Sequence, residues 1–80
     1  MTVEELTRLF QRGALLEAVV EPYSYRGLWL LAFTTEQGEL IVTTDESGEE
    51  RHFSTADDAC RQAMRIGFSQ ARVEQRTGSE

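Results

Sequence analysis

Residues 53–68, running from Phe53 through Ser54-Thr55-Ala56-Asp57-Asp58 to Ile66-Gly67-Phe68, carry both the start and the stop of one amphipathic helix. Ser54 or Thr55 supplies the N-cap hydroxyl, and Asp57 and Asp58 follow in the first turn, where the helix dipole favours negative charge. Ala56, Ala59, Cys60 and Ala63 fall on a single narrow stripe with Met64 at its margin. Arg61 is spaced to pair with Asp57 one turn back, and Arg65 sits near the C-terminal end. Gly67 suits the left-handed position after a helix, and Phe68 can then fold back toward Ala63. A stripe made mostly of alanine lets a helix lie close to a sheet, so the rest of the chain is expected to supply that sheet.

The preceding segments meet this expectation. Thr2-Val3-Glu4-Glu5 matches a capping box, and Val3, Leu6, Leu9 and Phe10 recur at helical spacing before Gly13, which predicts a first helix over about residues 3–12. Leu16, Ala18 and Val20 alternate with Glu17, Val19 and Glu21, a strand with one apolar face closed by Pro22. After a loop at 23–27, residues 28–35 form a strand that is apolar on both faces. Trp29, Leu31 and Phe33 lie on one face and Leu28, Leu30 and Ala32 on the other, as in a central strand. Glu36-Gln37-Gly38 marks a hairpin, residues 39–44 a third strand, and Asp45-Glu46-Ser47-Gly48 a second tight turn. Residues 49–53 then read as a fourth strand pairing back on the third, completing a meander. Residues 70–75 form a last short strand with Ala71 and Val73 inward, and 76–80 a frayed polar tail.

The expected fold is therefore α+β: one domain over residues 1–80, with a four- to five-stranded antiparallel sheet and two helices in the order α-β-β-β-β-α-β. A chain of 80 residues buries a modest core, so association would add to its stability. If both helices cover one face, Leu28, Leu30 and Ala32 are left on the other, where a partner or the first helix must meet them.

Several chemistries find no support. One Cys and one His do not make a zinc site, and the acids between Glu36 and Glu50 do not follow a calcium-loop pattern. There is no phosphate-binding glycine motif, and no nucleotide or other cofactor is implied. Cys60 and His52 are the one thiol–imidazole combination, but Cys60 falls on the packing stripe, so no catalytic set is expected. No stretch is long enough to span a membrane and no export leader is visible, and a lone cysteine fits a reducing cytoplasm.

Charge is more informative. The net charge is −6, which argues against a nucleic-acid partner. All eight basic residues are arginine. Glu36, Glu39, Asp45, Glu46, Glu49 and Glu50 form an acidic block with no base, whereas Arg51, Arg61, Arg65, Arg72 and Arg76 follow it. The small size, the all-arginine basic set and the helix-Gly67-Phe68-strand ending resemble, in general style, short accessory proteins of bacterial plasmids, phages and integrons; that likeness assigns no residue a role.

The expected function is a non-enzymatic protein-interaction module, homodimeric, with Tyr23, Tyr25, Arg26, Leu28, Leu30, Arg61 and Arg65 as its candidate surface and a protein, either another chain or a second copy, as partner. One alternative is an acidic inhibitor or nucleic-acid mimic presenting Asp45, Glu46, Glu49 and Glu50 to a basic protein. Another is modest nucleic-acid binding, which requires Arg61, Arg65, Arg72 and Arg76 on one face.

Overall fold

A computed structural model describes residues 1–23 and 27–74 of the chain. The elements are α1 (Val3–Gln11), β1 (Leu15–Pro22), β2 (Trp29–Thr35), β3 (Leu40–Val42), β4 (His52–Phe53), α2 (Ala56–Ile66) and β5 (Arg72–Val73), in the expected α-β-β-β-β-α-β order.

Local signals explain the helices. The Thr2 hydroxyl accepts from the Glu5 N–H at 3.3 Å, and the Glu5 carboxylate accepts from the Thr2 N–H at 3.0 Å, a complete capping box. At its other end Ala14 N–H donates to Leu9 and Gly13 N–H to Phe10, the paired bonds of a Schellman stop. In α2 the cap is Thr55, whose hydroxyl accepts from Asp58 N–H at 3.0 Å. Phe68 N–H returns to the Ala63 carbonyl at 3.1 Å, as the Gly67-Phe68 ending predicted. Ala59, Ala63 and Ile66 are the buried residues of α2; Met64 is exposed. Arg61 pairs with Asp58 at 3.2 Å, three residues back, and not with Asp57 as its spacing suggested.

β2 is central. It pairs antiparallel with β1 on one side and with both β3 and β4 on the other, while β5 joins the far edge of β1 in parallel. The sheet is thus mixed and five-stranded. The segment expected as a fourth strand divides: residues 49–51 pair back toward the third, as the turn at 45–48 suggested, whereas His52 and Phe53 pair with β2 instead. Thr43 N–H donates to Leu31, and His52 lies opposite Leu30, so the two segments occupy successive positions along the same edge of β2. Arg51 N–H donates to Thr43 and closes the gap. The residues between leave the sheet as a small hairpin, its arms joined by the Thr44–Glu50 bridge and by Asp45 N–H to Glu49. The tight turn was legible locally, but the partner of the returning strand is a non-local choice. The Thr43 side chain, fully buried, donates a second bond to Leu31 at 2.9 Å and secures the branch point. At the free edge beyond it, Thr44 N–H donates to the Met1 carbonyl at 2.7 Å, so that stretch of edge is paired.

The β1 register shifts between Leu15 and Glu17. This bulge turns Leu15 inward and leaves Leu16 62% exposed, although strict alternation placed Leu16 in the core. Ala18 and Val20 face inward as expected. Both helices lie on one face of the sheet: Leu6 of α1 and Ala59, Ala63 and Ile66 of α2 share one core with Leu15, Val20, Leu31, Phe33 and Phe53. Phe68 packs between Phe10 of α1 (ring centroids 4.7 Å apart) and Phe33 of β2 (5.4 Å). Burying Phe33 completely stabilises the fold by roughly 2–3 kcal/mol.

Gly67 sits beside this cluster with φ +141°, and a Cβ there would fall on the Phe10 ring. Gly67→Ala is therefore expected to destabilise the fold by roughly 2–5 kcal/mol, through backbone strain and overpacking together. The shift in urea midpoint measures it; a change within error would show that α1 can move away from the turn without cost.

Candidate functional site

With both helices on one side, the second face of the sheet carries Glu17, Val19 and Glu21 from β1, Leu30, Ala32 and Thr34 from β2, Leu40 and Val42 from β3, His52 from β4 and Arg72 from β5. This face has two halves. Over β1 and β5 it is ionic: Arg72 donates to Glu17 at 3.0 Å and to Glu74 at 2.8 Å, which pushes its pKa up and bridges the strand seam beside buried Val19. Over β2 and β3 it is apolar. Leu40 is 49% exposed, Leu30 and Val42 are half-buried, and Ala32 is covered by its neighbours.

The candidate surface residues divide accordingly. Leu30 lies on the apolar half, opposite His52. Tyr23 stacks on His52 at 4.3 Å between centroids, and Leu28 accepts a hydrogen bond from Tyr23 N–H, so Tyr23, Leu28 and Leu30 gather at one end of the sheet. Tyr25 and Arg26 lie outside the described residues, as do Arg76 and the tail expected at 76–80. Leu40 and Val42 were missed. Their two-residue spacing was visible, but only the pairing of Val42 with Ala32 and Leu40 with Thr34 sets them on this patch.

Arg61 and Arg65 are exposed on α2 and line a shallow concavity with Arg51, His52, Gln62 and Asp58. The Arg51 guanidinium lies 5.3 Å from the centre of the Phe53 ring. Asp58 is engaged by Arg61 and by the Ser54 hydroxyl at 3.4 Å. The four-arginine face required for nucleic acid does not assemble: Arg72 belongs to the strand at the opposite sheet edge and is held by Glu17 and Glu74. Arg51 takes its place beside Arg61 and Arg65, a neighbour that strand pairing chooses and spacing does not announce.

The acidic set also divides. Asp45 accepts from the Ser47 hydroxyl at 2.7 Å and from the N–H groups of Ser47 and Glu49 at 2.9 and 3.1 Å, so its carboxylate builds the turn instead of facing a partner. These bonds, that to Ser47 first, hold its pKa below the usual carboxylate range. Glu50 lies 3.5 Å from His52 Nε2. Glu46 and Glu49 are exposed and make no ion pair among the described residues.

Cys60 packs partly buried against the core on the helix side, whereas His52 points to the other sheet face, so the two do not form a thiol–base pair. Burial pushes the Cys60 thiol up, and Asp57 adds to the shift. Among the described residues no three His, Cys, Asp or Glu side chains converge as metal ligands would, and no helix is long and apolar enough to cross a membrane.

No family model, no curated protein and no solved structure matches the chain. The fold is a small α+β domain, a mixed five-stranded sheet with two helices on one face.

Two measurements check these assignments. A thiol reagent at neutral pH should modify folded Cys60 much more slowly than the urea-unfolded chain; equal rates would mean an exposed, activated thiol. Because the folded pKa of Asp45 is depressed, its contribution to hairpin order is fully present above the ordinary Asp range and is lost as pH falls through the lower folded value. Amide signals of Ser47 and Glu49 should therefore titrate with a midpoint below that of a free Asp, and a midpoint at the ordinary value would contradict the hydrogen bonds.

Proposed function

We propose that the protein is a non-enzymatic protein-interaction module, acting in the cytoplasm as a symmetric homodimer through the open face of its sheet. The observation that carries this reading is the apolar half of that face. Leu30, Ala32, Leu40 and Val42 adjoin one another on paired strands, and both helices are committed to the opposite side. A contiguous apolar patch on so small a domain is worth more covered than exposed, at about 25 cal/mol per Å² removed from water. A two-fold axis through the patch apposes it with itself, which is how an isologous interface is built. The ionic half, with its Glu17–Arg72–Glu74 bridges, would form a polar rim.

Light scattering at micromolar concentration should return twice the mass of one chain. Leu40→Glu combined with Val42→Thr should reduce it to one chain with an unchanged far-ultraviolet dichroism spectrum. A wild-type protein that stays monomeric throughout the micromolar range would end this reading.

A further inference from the structure

We propose that the arginine concavity between β4 and α2 receives a phosphorylated side chain, a phosphoserine or phosphothreonine, carried by a protein partner. The proposal rests on the interaction-module reading above but not on the sheet-face dimer. Its arginines stand beside α2, on the side of the sheet opposite the apolar patch, so apposing two open faces leaves them uncovered.

Local structure brings the donors together. Asp58, Arg61, Gln62 and Arg65 recur at three- and four-residue spacing, so they share one stripe of α2. That stripe borders β4, where the Arg51 guanidinium lies 5.3 Å from the centre of the buried Phe53 ring. A guanidinium resting on a fixed aromatic face is partly ordered before any ligand arrives, which lowers the cost of binding. The one carboxylate lining the concavity, Asp58, is engaged by Arg61 and by the Ser54 hydroxyl. Arg51 and Arg65 make no ion pair among the described residues. Two guanidinium forks are therefore open to an outside anion, with the Gln62 amide beside them.

The donor set and its surroundings select the ligand. A carboxylate offers two oxygens and one charge, whereas a phosphate monoester offers three terminal oxygens and close to two charges at neutral pH, a better match to several forks at once. The concavity is shallow, so it does not enclose a free metabolite as a small-molecule pocket would. A phosphate presented by a protein segment needs no such enclosure, because the rest of the segment can lie on the surface outside. Arg51 also lines a second depression that holds Asp45 and Glu46, so the acidic hairpin borders the basic patch directly. A nucleic-acid strand leaving the concavity would carry its next phosphates past that hairpin, in a chain of net charge −6. A single phosphate with uncharged or basic neighbours meets no such repulsion.

Fluorescence anisotropy on the full chain tests this, with a labelled peptide of alanine and glycine carrying one phosphoserine and one adjacent arginine. The phosphopeptide should bind, inorganic phosphate should compete with it, and the unphosphorylated peptide should bind at least roughly tenfold more weakly. Exchanging the adjacent arginine for glutamate should weaken binding. Arg51→Gln with Arg65→Gln, its dichroism spectrum matching wild type, should cost roughly tenfold or more, whereas Arg8→Gln on α1 should change nothing. Equal binding of the phosphorylated and unphosphorylated peptides, no binding of the phosphopeptide, or an R51Q/R65Q variant that binds as wild type would each overturn the proposal. A peptide with glutamate in place of phosphoserine that binds equally well would make this a carboxylate site instead. Tighter binding of adenosine monophosphate or of a single-stranded oligonucleotide would overturn the protein partner. The mass of the chain in solution, measured separately, decides the sheet-face dimer and leaves this proposal untouched.

Discussion

Phe68 is the contact on which the arrangement depends. It follows the glycine that ends α2, and it packs at once on Phe10 of α1 and Phe33 of β2. It adds an aromatic contact to the core that Leu6 of α1 shares with Ala59, Ala63 and Ile66 of α2. α1 is nine residues long and α2 eleven, too short to persist without tertiary packing. The aromatic cluster ties both to the same side of the central strand, and Gly67 permits the approach because the Phe10 ring occupies the space a side chain would need. Everything said above about the other face follows from this. Had α1 crossed the sheet, the apolar half carried by β2 and β3 would be core, and the molecule would have no open face.

The second constraint is the looped-out hairpin. Thr43 and His52 sit at successive positions along β2 because Thr43 gives Leu31 two hydrogen bonds and Arg51 bonds back to Thr43. The sheet edge is thereby interrupted, and part of what remains is paired with Met1. An edge so broken is a poor template for strand addition. The same interruption puts an acidic tip and three arginines side by side, since Arg51 marks the point where the chain re-enters the sheet beside α2. Topology and surface charge are one fact here: the residue that closes the excursion is also the one shared by the basic and acidic patches.

Much of the architecture was legible. Both capping motifs, the Gly13 and Gly67 stops, the central position of β2 and the inward set Trp29, Leu31 and Phe33 are local in origin, and each appears where spacing put it. The departures share a cause. Leu16 is exposed because a bulge slipped the alternation by one residue, and no turn signal marks a bulge. Arg61 chose Asp58 over Asp57 because both spacings are within reach on a helix. β4 joined β2 because the turn at 45–48 bends the chain without deciding which strand it returns to. The candidate surface was read in part: Tyr23, Leu28 and Leu30 do gather, while Leu40, Val42 and Arg51 could be added only after pairing was known.

The amino-acid sequence by itself determined the elements, their order, their caps and the acidic-then-basic run of charge, because those properties depend on residues within a few positions of one another. Tertiary structure alone decided that both helices share a face, that the returning strand joins β2, and that Arg72 is bound to Glu17 across the sheet while Arg51 stands beside Arg61 and Arg65. Those outcomes are contests between distant partners of similar local merit. They are settled by which packing buries Phe33 and Phe68 together and leaves the fewest backbone groups unpaired.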